Sequence, residues 1–310
     1  MTLLAIPAVA LAVVSIASFF GRWVWWLDVL ANFRAQYVAA LTVLGLALML
    51  TRWRRTGLMV LLAAIVNLVP VLPLYVGSPG DTEPGAPSIR VMSFNLLSDN
   101  ESFAGVIDYI RSIDPDLVLL HEASQPWEVA VGAADLDYEI IRPRADRLIF
   151  GTLVLIRGED IEAVSYGFGE AQPRAVELSY RPTGWPQGIE VLSTHALAPS
   201  EEERAGLRDA QLSFAADWAA AREGPIFVVG DFNATPWSWP FRNLIDRAEL
   251  KNSQIGFGLH LSFPTTSNVL LRVPIDHLVH SEELIVRDRR LGPSLGSDHF
   301  PLVVDLELAP

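Results

Sequence analysis

Apolar residues are spread unevenly along this 310-residue chain. Charge is absent from residues 3 to 20, 35 to 50 and 58 to 76, whereas everything after Asp81 mixes polar and apolar positions in ordinary proportion. A helix needs about 20 apolar residues to cross a bilayer core, and about 17 suffice. Three transmembrane helices are therefore expected, at about 3–20, 33–50 and 58–76, with buried core helices as the alternative reading. The first segment could also be a cleaved leader, but it lacks a basic start and two further apolar segments follow, so retention is expected.

Beyond this front quarter, residues 77–88 read GSPGDTEPGAPS, too dense in Pro and Gly for a helix or central strand, and are expected to link two parts. The expected organisation is a membrane anchor at 1–76, this linker, and a second domain at 89–310. In that domain short apolar runs at 89–95, 116–121, 151–156, 189–195, 225–231, 275–280 and 301–308 predict strands. Residues 102–113 place Phe103, Val106, Ile107, Ile110 and Ile113 on one helical face, and 200–222 opens with a capping box of Ser200 and Glu203. Runs such as DLVLL and PIFVV are apolar on both faces, so the sheets must be covered on both sides. An α/β sandwich follows, with either two stacked sheets or one doubly wound sheet.

Charge divides the chain in the same way. Residues 1–80 hold five arginines and one acid, Asp28, a net +4, while the remainder holds 18 bases and 35 acids, a net −17. Arg52, Arg54 and Arg55 lie between the second and third apolar segments, and the positive-inside rule assigns them to the cytoplasm. The expected location is the cell (inner) membrane, with the large domain on the extracytoplasmic side. Arg22 and Arg34 in the first loop run against this, although Trp23, Trp25 and Trp26 resemble an interfacial aromatic belt. Cysteine is absent, which removes disulfides from the argument. An acidic domain whose lone lysine is Lys251 offers no basic stripe for nonspecific nucleic-acid binding, though a metal could supply positive charge locally. No apolar hairpin for interfacial binding is evident.

The chemistry-bearing residues recur where apolar runs end: Asn95, Glu122, His195, Asp231 with Asn233, Asp276, and Asp298 with His299. Each alone is an ordinary turn or loop residue. Together, hard oxygen ligands and imidazoles form the inventory that Mg²⁺- or Mn²⁺-assisted hydrolysis needs.

The segments SFNLLSDN (93–100), PDLVLLHEAS (115–124), STHALAPS (193–200), GDFNATPWS (230–238), IDHLVHS (275–281) and GSDHFPLVVDL (296–306) resemble, in order, the successive motifs of the endonuclease/exonuclease/phosphatase superfamily, the DNase I-like fold. The resemblance covers residues 89–307 and implies a four-layer α/β/β/α sandwich. It implies metal ligation by Glu122, helped by Asn95 and Asp298, with Asp231 orienting or deprotonating water and Asn233 holding a phosphate oxygen. His299 would be fixed by Asp276, His195 would protonate the leaving oxygen, and Arg174 would touch phosphate. His121 and His277 are expected to be structural and to face away from the site, while Trp237 and Trp239 could line the mouth, meet the membrane or pack in the core. The implied activity is a divalent-metal-dependent phosphoesterase using Mg²⁺ or Mn²⁺ on nucleic acid or on a phospholipid or inositol phosphate. The membrane is met through the N-terminal helices, and no protein partner is inferable. The alternative is a noncatalytic, membrane-anchored binding module that retains the fold.

Overall fold

The computed structural model describes residues 2–77, 86–142, 151–168 and 171–310. Most of the expected linker, residues 78–85, lies outside the described residues. The chain opens with helices α1 (Thr2–Ala17), α2 (Trp25–Ala31), α3 (Arg34–Met49), α4 (Arg54–Leu68) and the short α5 (Pro73–Val76). Helices α1, α3 and α4 pack around Ala5, Ala8, Leu41, Leu48, Val60 and Ala64. Small residues let α3 and α4 approach closely, since a Cβ on Gly57 would lie 2.9 Å from the Gly45 carbonyl oxygen. At the end of this bundle nearest the sandwich, the buried Arg34 donates to Asn67 Oδ1 at 3.0 Å and to Ser18 Oγ at 3.3 Å.

The helices are shorter than the expected spans. Among the described residues no single helix is long and apolar enough to cross a membrane, although Leu4–Phe20 and Trp25–Ala31 meet the criterion as a pair bent by 118°. The stretch expected at 58–76 begins earlier, at Arg54, and breaks after Leu68, where Pro70 and Pro73 remove backbone donors and end the ladder. The 16 residues of α3 reach about 24 Å at a rise of 1.5 Å per residue.

The remaining elements form two stacked sheets. Strands β1 (Ser88–Asn95), β2 (Leu117–Ala123), β3 (Glu139–Ile141), β4 (Gly151–Ile156), β11 (Leu284–Leu291) and β12 (Leu302–Leu308) make the first, in the order β11-β12-β1-β2-β4-β3. Strands β5 (Glu159–Phe168), β6 (Ala171–Arg181), β7 (Ile189–His195), β8 (Ile226–Asp231), β9 (Lys251–Asn252) and β10 (Asp276–His280) make the second, in the order β5-β6-β7-β8-β10-β9. Val91, Leu119 and Val154 of one sheet meet Leu178, Val191 and Phe227 of the other in a shared core. Helices α6 (Phe103–Ile113) and α7 (Gln125–Gly132) cover the first sheet through Val106, Ile110 and Trp127. Helices α8 (Glu202–Ala220) and α9 (Trp239–Ala248) cover the second through Leu212, Ala216 and Phe241. Four layers result, and two stacked sheets replace the doubly wound option. The capping box does not form: α8 starts after Glu201, which makes no side-chain cap.

The central strands β1 and β2 run parallel, as do β7 and β8, and this sends their C-terminal ends to one rim. Along β10, which runs away from that rim, burial holds the imidazoles of His277 and His280 below their usual value near 6.5, at about 3 and about 4 respectively. Both bind protons in the unfolded chain before they do so in the fold, so their share of stability is full above 6.5 and is lost as pH falls toward 4. Compared with a His280→Gln variant, the wild-type denaturant midpoint is expected to lose ground between pH 7 and pH 5, a comparison that cancels the opposite contribution of Asp231, whose raised carboxyl takes up its proton in the fold over the same window. An identical pH dependence in the two proteins would contradict the buried-neutral assignment of His280.

Candidate active site

Strand register assembles the site. Asn95 ends β1 opposite His121 of β2, while His195, ending β7, and Asp276, starting β10, both stand opposite Asp231 at the end of β8. Gly230 allows this approach: its φ is 140°, and a Cβ there would lie 2.0 Å from the Thr194 carbonyl oxygen. Two further residues hold left-handed backbone, Glu122 with φ 56° and Asn233 with φ 47°. Such conformations are strained for side-chain-bearing residues and persist only where the surroundings impose them. At Glu122 the strain accompanies a register shift between Leu120 and Ala123, which aims its carboxylate at the rim.

Asn95, Glu122, His195, Asp231, Asn233, Asp298 and His299 line one cavity of about 380 Å³, with Arg204 and Phe263 on its wall. Asp276 lies behind them, 1% exposed, and its Oδ2 is 2.8 Å from His299 Nδ1. His299 Nε2 is 3.6 Å from Asp231 Oδ2, and His195 Nε2 is 3.6 Å from Glu122 Oε1 and 3.7 Å from Asp231 Oδ2. Asp231 accepts from the Asn233 backbone N–H at 2.9 Å, from Asn233 Nδ2 at 3.2 Å and from Asn95 Nδ2 at 3.1 Å. All the expected site residues therefore converge except Arg174, which lies on β6 and whose side chain is outside the described residues. His121 and His277 are fully buried and line no part of this cavity; His121 sits below it, with its ring 5.9 Å from that of His195.

Burial opposes every charge here, and the outcome depends on neighbours. Burial alone would lower His299, but Asp276 and Asp231 on either side raise it to about 10. Burial alone would raise Asp276, yet the His299 imidazolium holds it below the usual carboxylate range. Asp231 is pushed up by burial, to about 7, with the His299 charge offsetting only part of that push.

Two donor sets could hold a cation. Asp231, Asp276 and His299 bring one ligand atom each within 4.8 Å of one another and are all buried. That set is already joined by the Asp276–His299 hydrogen bond. Glu122 and Asp298 instead present half-buried hard oxygens on the cavity wall, the chemistry a small divalent cation prefers. Asn95 fits this second set less directly, because its Nδ2 points at Glu122 Oε1 (3.4 Å) and Asp231, while its Oδ1 accepts from the Leu97 N–H at 3.1 Å. Ligation by its oxygen requires the amide to turn over.

The two-sheet sandwich gathers carboxylates, two amides and two histidines at one rim, and together with the match of residues 92–299 to the Endonuclease/Exonuclease/phosphatase family this marks a hydrolase of the phosphoester type. The chain belongs to that family. Among solved structures, D. rerio TDP2 complexed with single strand DNA product is similar at a TM-score of 0.60 and 15% identity, over 71% of this chain and 99% of that one. An endonuclease/exonuclease/phosphatase from Bacteroides vulgatus gives 0.58 and 17%, over 72% and 100%. The human Nocturnin catalytic domain with bound sulfate anion gives 0.54 and 19%, over 76% and 99%. At these identities the likeness establishes the fold. No curated protein matches the chain.

Outside the family-matched residues lies a part of the site that the sequence did not disclose. Asp28 of α2 is 2% exposed and accepts from the Trp239 backbone N–H at 2.7 Å and from Arg208 Nη2 at 2.9 Å. Arg208, fully buried, also donates to the Asn233 carbonyl oxygen at 3.3 Å. Asn32 Oδ1 accepts from Thr235 Oγ1 at 3.1 Å and Ser238 Oγ at 3.0 Å. Trp237 is buried against Ala31, Val71 and Leu74, and Arg22 stacks on Trp239 at 4.6 Å. The tryptophans thus dock the loop that follows Asp231 onto the N-terminal helices and do not line the cavity mouth. Asp28 was visible only as the lone acid among five arginines in the apolar quarter. Asp28→Ala is expected to cost about 2–3 kcal/mol, since Arg208 keeps Asp209 as a partner but loses its buried one. Turnover of the folded variant should fall roughly tenfold as the Asn233 loop loses its backing. Unchanged thermal unfolding and unchanged turnover would show the brace to be idle.

Proposed function

We propose that this chain is a membrane-anchored, divalent-metal-dependent phosphoesterase of bacterial type, organised as an anchor at 1–76, a linker at 77–88 and a catalytic domain at 89–310. The observation that carries it is the convergence of Glu122, Asp298, Asp231, Asn233, His195 and His299, drawn from separate segments, on one cavity. The noncatalytic alternative requires the loss of one of these residues, and each is present.

A Mg²⁺ or Mn²⁺ ion held by Glu122 and Asp298, with Asn95 after its amide turns, would supply positive charge against a phosphate oxygen. Asp231 acts as the base: its carboxyl is poised near neutrality, and the Asn95 and Asn233 amides fix its orientation. Water oxygen bonds to phosphorus as the bond to the leaving alcohol breaks, and the water proton passes to Asp231. His299 stays protonated at neutral pH, clamped by Asp276, and offsets charge that builds on the phosphoryl oxygens. Asn233 Nδ2 donates to the Ala196 carbonyl at 3.0 Å and to Asp231, and would hold one of those oxygens by exchanging the Ala196 bond for it, while His195, on the opposite side of Asp231, returns a proton to the leaving group.

The anchor reading is supported by the outward faces of the bundle. Val13, Val43, Leu46, Met59, Leu62 and Ile65 are all more than half exposed there, and such a surface is costly in water. Exposed Phe20, Trp23 and Trp26 flank it at the end near the sandwich, which extends the short helices toward the length a bilayer needs. With Arg52, Arg54 and Arg55 at the far end, the positive-inside rule puts the catalytic domain on the extracytoplasmic side of the cell membrane.

The full chain in detergent is expected to hydrolyse bis(4-nitrophenyl) phosphate with Mg²⁺ or Mn²⁺ and to stop on addition of a chelator. Glu122→Ala and His299→Ala should each lower the rate about a hundredfold or more while the far-UV spectrum is retained. Wild-type rates in these variants would refute the site assignment.

A further inference from the structure

Val269, Leu270 and Leu271 form a single turn of 3₁₀ helix and are 53%, 67% and 58% exposed. Other exposed large aliphatic residues among the described part of the sandwich, such as Val129 and Val164, stand alone in sequence. Three adjacent aliphatic side chains held in water call for a covering surface. They are held rigidly, because Asn268 Oδ1 caps the turn by accepting from the Leu270 N–H at 3.0 Å, and Arg272 donates back to the Ser267 carbonyl at 3.2 Å and the Thr265 carbonyl at 3.0 Å. The stem of the loop is the backbone pair Phe263 and Val273.

This loop joins the catalytic cavity to the helical bundle. On the cavity side, the Phe263 ring packs 4.7 Å from that of His299, and Thr265 donates to the Asp298 carbonyl at 2.8 Å and the Ser297 carbonyl at 2.6 Å. On the bundle side, Gln36 Nε2 in the first turn of α3 donates to the Arg272 carbonyl at 2.7 Å. Across the cavity, Arg204 on its wall sits one turn of α8 before Arg208, which is paired with Asp28 of α2. Both flanks of the cavity are therefore fastened to the same end of the bundle, the end that exposes Trp23 and Trp26.

We propose that the cavity opens toward the bilayer and takes a phosphate ester carried by a membrane lipid, with Val269, Leu270 and Leu271 entering the boundary between headgroups and acyl chains beside α3. The occupant follows from attachment: Gln36 ties the loop to the first turn of α3, two turns along the same helix from Val43, which is 67% exposed. Nucleic acid is disfavoured by a domain of net −15 (18 bases and 33 acids over 89–310) whose lone lysine, Lys251, lies on β9 away from the cavity. The proposal rests on the anchored phosphoesterase reading above.

Because the chain has no cysteine, Leu270→Cys gives a single site for an environment-sensitive fluorophore in the full chain, reconstituted in phosphatidylcholine and phosphatidylglycerol nanodiscs. Blue-shifted emission quenched by lipids brominated on their acyl chains is expected, and quenching by aqueous iodide alone would overturn insertion. In a second arm, the protein is reconstituted into vesicles of phosphatidylcholine, phosphatidylethanolamine, phosphatidylglycerol, phosphatidylinositol and sphingomyelin, and release of soluble phosphate headgroup is measured. Leu270→Asp and Leu271→Asp should lower that release about tenfold or more while turnover of bis(4-nitrophenyl) phosphate stays within about twofold. Wild-type hydrolysis of the soluble diester or of single-stranded DNA without any release from vesicles would overturn the lipid assignment and leave the phosphoesterase reading standing. No turnover of the soluble diester would sink that reading itself.

Discussion

Two carboxylates buried side by side repel one another, and in this protein the His299 imidazolium lies between them, keeping Asp276 ionised and offsetting part of the burial that raises Asp231. Asp276 and Asp231 are each 1% exposed, and the imidazolium is in contact with one and 3.6 Å from the other. The arrangement forces β8 and β10 to be neighbours with Asp231 and Asp276 in register, and it forces the Ser297–His299 turn to fold over their ends. Ser297 secures that turn by donating to the Asn95 carbonyl at 2.7 Å, which ties the second sheet's acids to the first sheet's rim. Stacking of the two sheets thus serves an electrostatic purpose as well as a hydrophobic one.

The inner strands were legible because their apolar runs are long and uninterrupted, as in LVLL of β2 and IFVV of β8. β11 was not, since Arg287, Asp288, Arg289 and Arg290 hide its alternation, although Arg289 is buried and bonded to Ser253 and the Asp276 carbonyl. β5 was missed because, as an edge strand, it has few buried positions to reveal its period. In the bundle, counting apolar residues overlooked Pro70 and Pro73, which end a helix however apolar its neighbours are.

The site was legible to the extent that its residues terminate strands. Glu122, Asp231, Asn233, Asp298 and His299 stand next to apolar runs, and their motif spacing survives in the linear order. What order cannot carry is contact between distant segments with no shared motif. Asp28 and Arg208 are 180 positions apart, and Gln36 and Arg272 are 236 apart. Nor does hydropathy show that Val269–Leu271 point outward, because a three-residue apolar run reads the same whether it faces solvent or core.

The buried pairing of α2 with the catalytic loop changes what counts as one folding unit here. A fragment beginning at residue 88, the usual choice for a soluble preparation, would strip Arg208 of its deepest counter-ion and lay bare the indole face of Trp237. Silence from such a fragment would report the damage done by the cut rather than the chemistry of the intact chain.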